Sequence, residues 1–241
     1  MLATNACRTC KYYYERYQPW IYPMLASYVA RSRGTTGGVI ADVGVGPGHL
    51  SAELVEGLAP DRLLALDINP AMLELADELF RARGVADRVE LVEGDVHALP
   101  WDDGSIDLIV SYGCLHHWAD PERGLADCGR VLAPGGLLLL IDTTPVSDAT
   151  LAAFADVVQD PDCPDIVNKA YAESIAPDAA LALAEAAGLA DVTVEPLAFD
   201  GADLMAALDV LDELAEPPAG LDTDEPTCWT LTYRKPLENA S

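Results

Sequence analysis

Positive charge is scarce in this chain. Its 241 residues hold 14 lysines and arginines against 40 aspartates and glutamates, for a formal net charge of −26, and the lysines are Lys11, Lys169 and Lys235 alone. A surface this negative repels phosphate backbones, so no nucleic acid partner is expected. The acidity reads as solubility, or as adaptation to a salty interior. Long apolar runs are missing too: "GGLLLLI" is far too short for a membrane span, and no membrane partner is expected. The opening "MLATNACRTCKYYY" lacks the apolar stretch of a secretory signal. Six cysteines without such a signal read as reduced thiols of a cytoplasmic protein and not as a disulfide framework.

The rest of the composition suits a globular protein, 51% hydrophobic and long enough for one α/β domain with embellishments. Residues 1–36 are rich in tyrosine and read as one or two helices forming an amino-terminal cap. Residues 37–241 read as the main domain. "GGVIADVG" is a short buried strand, and Leu50, Leu54, Val55 and Leu58 then recur at helical spacing. "DRLLALDI" is a second strand. Asn69 and Pro70 start a helix that ends near Gly84, with Met72, Ala76, Leu79 and Phe80 on its apolar face. "RVELVEGD" and "SIDLIVSYG" follow as strands. Asp120 and Pro121 open another helix, with Leu125, Cys128 and Leu132 facing the core, and "GGLLLLIDT" is the fifth strand. Such alternation implies parallel βαβ units in a doubly wound, Rossmann-like sheet. Residues 143–176 form a long connection expected to act as a lid. "LADVTVEPLAF" and "TCWTLTYRK" read as two last strands, with an acidic helix at 202–214 between them.

The stretch "ADVGVGPGHLSAEL" places Gly44, Gly46 and Gly48 between a strand and a helix, where open α/β sheets bind ligands. The spacing is G-x-G-x-G, whereas dinucleotide sites use G-x-G-x-x-G, and His49 stands where their third glycine would be. No Gly-Lys-Ser/Thr follows, which excludes a P-loop. Asp67 ends the second strand and can accept hydrogen bonds from ribose hydroxyls. Asp95, at the end of the third, can accept an adenine amine, with Ile68 and Val96 against the ring.

The segments "ADVGVGPG", "LALDINPAML", "EGDVHALPWDDGSIDLIVSYGCLHHW" and "RVLAPGGLLLLID" together resemble the class I S-adenosylmethionine-dependent methyltransferases. The resemblance implies a seven-stranded sheet in the order 3-2-1-4-5-7-6 with the last strand antiparallel. It implies S-adenosyl-L-methionine as cofactor, with Asp42 and the Gly44–Gly48 backbone at the methionine end, Asp67 at the ribose and Asp95 with Val96 at the adenine. Ser111, Tyr112 and Gly113 would border the methionine moiety near the sulfonium. A cofactor without phosphate needs no lysine, and its sulfonium suits carboxylates and aromatic faces.

Methyl transfer aligns a nucleophile in line with the methyl carbon and excludes water, and a base is required only for a protonated acceptor. His116 and His117 stand on the correct edge to serve as that base, or only to shape their loop. Of the tyrosines in the cap, Tyr17 and Tyr22 are expected to touch the site. Cap and lid together would close over a small-molecule acceptor, in a monomer or homodimer. Cys7, Cys10, Cys114 and Cys163 raise an alternative, a metalloid or thiol acceptor, although one C-x-x-C is weak grounds for a metal site and none is expected. Cys7 and Cys10 lie outside the cofactor motifs; Cys128 and Cys228 read as structural. A non-catalytic cofactor-binding protein is the other alternative.

Overall fold

The computed structural model describes residues 4–157, 164–208, 210 and 225–237. Two helices come first, α1 (Thr4–Tyr17) and α2 (Ile21–Arg33). The alternating unit follows: β1 (Val39–Val43), α3 (His49–Leu58), β2 (Arg62–Asp67), α4 (Pro70–Arg83), β3 (Val89–Glu93), β4 (Ile106–Tyr112), α5 (Pro121–Val131) and β5 (Leu132–Thr143). Then come α6 (Asp148–Val157), α7 (Pro164–Ala172), α8 (Pro177–Ala186), β6 (Thr193–Pro196), α9 (Gly201–Ala206) and β7 (Cys228–Arg234).

The strands form one sheet in the order β3-β2-β1-β4-β5-β7-β6, parallel except for β7, which runs antiparallel to both neighbours. This is the order and direction that the motifs imply. Successive side chains of a strand point to opposite faces, and both faces here are covered, so the central strands are apolar throughout. Ile40, Leu63, Leu108, Val110, Leu137 and Leu139 face α2, α3 and α4 in one core layer. Ala41, Leu64, Leu66, Ile109, Leu138 and Leu140 face α5 and α8 in the other.

Helix α2 belongs to the first layer. Its Met24, Leu25 and Val29 are fully buried, each contributing roughly 1.5–3 kcal/mol by leaving water. Helix α1 lies further out, against α4, where Cys7 packs with Met72 and Leu75. Helix α4 starts as its sequence dictates, with the Asn69 side chain accepting from the Ala71 N–H at 3.1 Å, Pro70 in the first turn and Gly84 in the left-handed cap.

Some local expectations change. The buried face of α4 is Met72, Leu75, Ala76 and Phe80, while Leu79 is half-buried. Leu132 opens β5 instead of closing α5. The strand expected over 189–199 shortens to Thr193–Pro196. The acidic helix is described over Gly201–Ala206, and residues 211–224 lie outside the described residues. The connection 143–176 carries α6 and α7, with residues 158–163 likewise outside.

Candidate active site

The carboxyl ends of β1 to β5 share one edge, and the strand order reverses between β1 and β4, which is where doubly wound sheets hold ligands. The glycine loop turns on this edge. The Gly44 and Val45 amides both donate to the Leu66 carbonyl, at 2.8 and 2.9 Å, tying the loop to β2. Gly44, Gly46 and Gly48 take φ values of +80°, +53° and +92°, a region side chains rarely adopt. They answer different needs. A Cβ on Gly44 would run into the Cys114 sulfur, and one on Gly48 would come within 2.8 Å of the Phe80 ring. One on Gly46 would meet nothing within 4 Å, so that backbone faces open space.

Three carboxylates stand along the edge in different states. Asp42 is 2% exposed and accepts from Ser51 Oγ at 2.7 Å; burial pushes its carboxyl up to about 7. Asp67 accepts from the Gly46 N–H at 3.0 Å through one oxygen and from the Asn69 N–H at 2.8 Å through the other. Burial still holds its carboxyl above the usual range, against those hydrogen bonds. The next residue, Ile68, is 55% exposed. Asp95 is the open one, its side chain 46% exposed. It accepts from the His97 amide and from His97 Nδ1, and the amide hydrogen bond holds its carboxyl below the usual range. His97 Nε2 in turn accepts from the Asp120 amide at 3.1 Å, linking Asp95 to the start of α5. Val96 is buried beneath.

At the end of β4, Ser111 Oγ donates to the Val43 carbonyl at 2.6 Å and clamps β4 to β1. Gly113 turns the chain at φ +61°, its amide on the Ile141 carbonyl. Tyr112 joins an aromatic cluster. The Tyr22 ring stacks on His49 with centroids 4.9 Å apart and meets Tyr112 edge-on at 6.0 Å, while Tyr14 lies 5.6 Å from Tyr22 and 6.5 Å from Tyr112. Burial raises the phenols of Tyr14, Tyr22 and Tyr112 well above their ordinary value and lowers His49. Tyr17 belongs to a neighbouring group, packed with Tyr13, Phe154 and Tyr171 of α1, α6 and α7. Tyr14 and His49 did not stand out in the sequence as site residues. His49, the substitution for a third glycine, was the available signal.

His116 and His117 separate sharply. The His116 imidazole is 2% exposed with Nδ1 2.6 Å from Asp142, whereas His117 is half in solvent with Nδ1 3.5 Å from Glu173. Among the cysteines, Cys7 is buried and accepts from Asn69 Nδ2 at 3.3 Å. Cys114 packs against Gly44 with its thiol pushed up to about 12 by burial, which suppresses thiolate chemistry. Cys163 lies outside the described residues. Among the described residues, no three potential metal ligands converge.

The sheet order, the lone antiparallel strand and the glycine loop between β1 and α3 define the class I S-adenosylmethionine-dependent methyltransferase fold. Residues 41–140 match the family model described as a methyltransferase domain. A structure from Methanococcus maripaludis, described as a putative S-adenosyl-L-methionine-dependent methyltransferase, superposes with a TM-score of 0.71 at 20% identity, covering 99% of this chain and 95% of that one. The [4+2]-cyclase SpnF shares the fold at a TM-score of 0.61 and 18% identity, with 89% and 81% covered. By sequence, the chain is 32% identical to the ubiquinone/menaquinone biosynthesis C-methyltransferase UbiE of Idiomarina loihiensis, over 48% of this chain and 47% of that protein. It is 40% identical to the malonyl-[acyl-carrier protein] O-methyltransferase of Methylococcus capsulatus, over 46% and 38%. The chain thus spans less than half the length of these curated relatives.

Proposed function

We propose that the protein binds S-adenosylmethionine along this edge and transfers its methyl group to a small-molecule acceptor. One observation carries the reading: the edge presents, in order, the open backbone at Gly46, the Asp67 carboxylate, the exposed Ile68 and the half-open Asp95. An isoleucine left 55% exposed between two carboxylates suits a flat apolar ring lying across it. Asp42 and the Gly44–Gly48 backbone would hold the methionine end, with Ser111, Tyr112 and Gly113 beside it. Asp67 would take the ribose, and Asp95 with Ile68 and Val96 the adenine. Tyr22 and Tyr17 would close the cover above them. When bound, the cofactor supplies an electrophilic methyl group, and its sulfur keeps the electron pair of the broken bond. The protein aligns the acceptor, excludes water and handles any proton.

The relatives named for quinone and malonyl-carrier methylation support a small acceptor. The strongly acidic surface argues against nucleic acid. No helix among the described residues is long and apolar enough to cross a membrane. The cysteine content suits a reducing cytoplasm, where we place the protein as a monomer or homodimer. Calorimetric titration with S-adenosylmethionine, its demethylated product and NAD tests the assignment. The first two should bind, and tighter binding of NAD would overturn it.

A further inference from the structure

His116 and Asp142 form a buried pair where the ends of β4 and β5 lie side by side. The His116 imidazole is 2% exposed and the Asp142 side chain is fully buried. Asp142 accepts from His116 Nδ1 at 2.6 Å, from the His116 amide at 3.2 Å and from the Thr143 amide at 2.7 Å. Two of these partners are backbone N–H groups and can only donate, which presents the carboxylate as an acceptor and puts the ring proton of His116 on Nδ1. The lone pair is then on Nε2. Among the described residues, that nitrogen is buried without a hydrogen-bond partner. An acceptor buried unpaired costs stability, and a donor arriving from outside would satisfy it.

The surroundings suit such a donor. Tyr14 of α1 lies beside Gly113, just before the Cys114–His116 turn. Thr143 Oγ1 donates to the Ala170 carbonyl, bringing α7 over the end of β5. The Phe154 and Tyr171 rings stack with centroids 5.4 Å apart and pack against Tyr13 and Tyr17. Aromatic side chains near the end of β5, which also carries the partner of the buried base, favour a flat, protonated acceptor. A carboxylate acceptor needs no base, and the charge of Asp142 repels it.

The geometry points to His116 Nε2 as the proton acceptor of the reaction, with Asp142 as its positioning residue, and to an aromatic hydroxyl, a phenol or hydroquinone, as the acceptor class. This rests on the methyltransferase reading above. The acceptor's O–H bond breaks, its proton passes to Nε2, and the electron pair stays on oxygen to form the bond to the methyl carbon. His116 then holds a proton on each nitrogen with Asp142 opposite Nδ1, and Nε2 returns its proton to water. His117 cannot substitute, being half-exposed and turned to Glu173.

The test has two arms. In the first, long-range 15N–1H spectra of histidine-labelled protein, with His116→Gln assigning the signal, read the tautomer without any acceptor. The expected result is a protonated Nδ1 and a bare Nε2, with the tautomer ratio altered in Asp142→Asn. A proton on Nε2, or no change in Asp142→Asn, overturns the proposal. In the second, parent, His116→Gln and His116→Asn are incubated with S-adenosylmethionine and methylhydroquinone, dihydroxybenzoate esters, aromatic amines or aromatic carboxylates, and thioether product is counted. Hydroxyl acceptors should react with the parent, and both variants should lose at least about a hundredfold in kcat. Their calorimetric affinity for S-adenosylmethionine should stay within twofold. Turnover within a few-fold of the parent, turnover of amines or carboxylates instead, or no turnover of any hydroxyl overturns it. Failure of the parent to bind S-adenosylmethionine at all overturns the methyltransferase reading instead. His116→Gln, which keeps a similar volume, stands in if His116→Asn does not fold.

Discussion

Side chains on this edge are held in states that water would not give them, and the state of each tells what it can do. Asp42 is the clearest. Its carboxyl is raised from 3.8 to about 7, so between those values the folded chain holds a proton that the unfolded chain releases. Stability from this group is therefore greatest at low pH and declines as pH rises through that window, by an amount on the order of 4 kcal/mol at about 1.4 kcal/mol per unit. Asp42→Asn keeps an acceptor for Ser51 and removes the titration. The variant should melt higher than the parent at pH 8, and the gap between them should shrink toward pH 5. A gap that does not change with pH would show that burial does not perturb Asp42. Asp67 is also buried and raised, but two backbone amides already sit on it and lone pairs are left toward the edge. Hydrogen bonds to such a charged acceptor are worth about 1.5–3 kcal/mol each. Asp67→Ala should lower S-adenosylmethionine affinity at least tenfold in calorimetry while the sheet stays folded by circular dichroism. An unchanged dissociation constant would place the ribose elsewhere.

At the scale of elements, the parallel core was legible because its signals are local. Asn69-Pro70 and Asp120-Pro121 mark helix starts, glycines bound β1, and the apolar runs of β4 and β5 leave no other reading. The glycine spacing and the strand-end aspartates were legible for the same reason. The contacts that complete the site were not, because they join segments distant in sequence: Tyr22 on His49, His97 between Asp95 and α5, His116 on Asp142. No periodicity encodes a pairing across 26 residues. Helix α1 shows the difference best. In the sequence its Cys7 and Cys10 stand outside every cofactor motif, yet the Cys7 sulfur accepts from Asn69 Nδ2, two residues beyond Asp67, and packs with Met72 and Leu75. The Cys7→Ser, Cys10→Ser double variant should therefore lose about 1 kcal/mol in denaturant unfolding, the cost of a hydroxyl in an apolar cluster with a weaker partner. S-Adenosylmethionine affinity should fall no more than a few-fold, since neither cysteine belongs to a cofactor motif. Stoichiometric arsenite binding by the parent, abolished in the variant, would instead favour a metalloid acceptor.

Over the whole molecule, charge is the dominant long-range influence. Pairing each of the 14 cationic side chains with one of the 40 acids leaves 40 − 14 = 26 carboxylates without a cationic partner. Several of the cations are held by more than one acid: Arg31 by Asp200 and Asp203, Arg83 by Glu53 and Glu56, Arg130 by Asp103 and Asp127. The remaining acids repel one another across the surface, and that repulsion is weaker in the expanded unfolded chain than in the fold. Added salt should thus favour the folded state, since the screening length falls from about 10 Å at 0.1 M to about 3 Å at 1 M. Two effects oppose each other here. Screening also weakens the ion pairs, but exposed pairs contribute only about 0–1 kcal/mol each and are few beside the unpaired acids. Relief of repulsion outweighs the weakened pairs, so the melting temperature should rise by several degrees between about 0.05 and 1 M sodium chloride at pH 8. Choline chloride should give much the same rise, because screening does not depend on which cation supplies it. A flat or falling melting temperature would mean that the acids are spaced widely enough on the sheet and helices for repulsion to be negligible already at low salt.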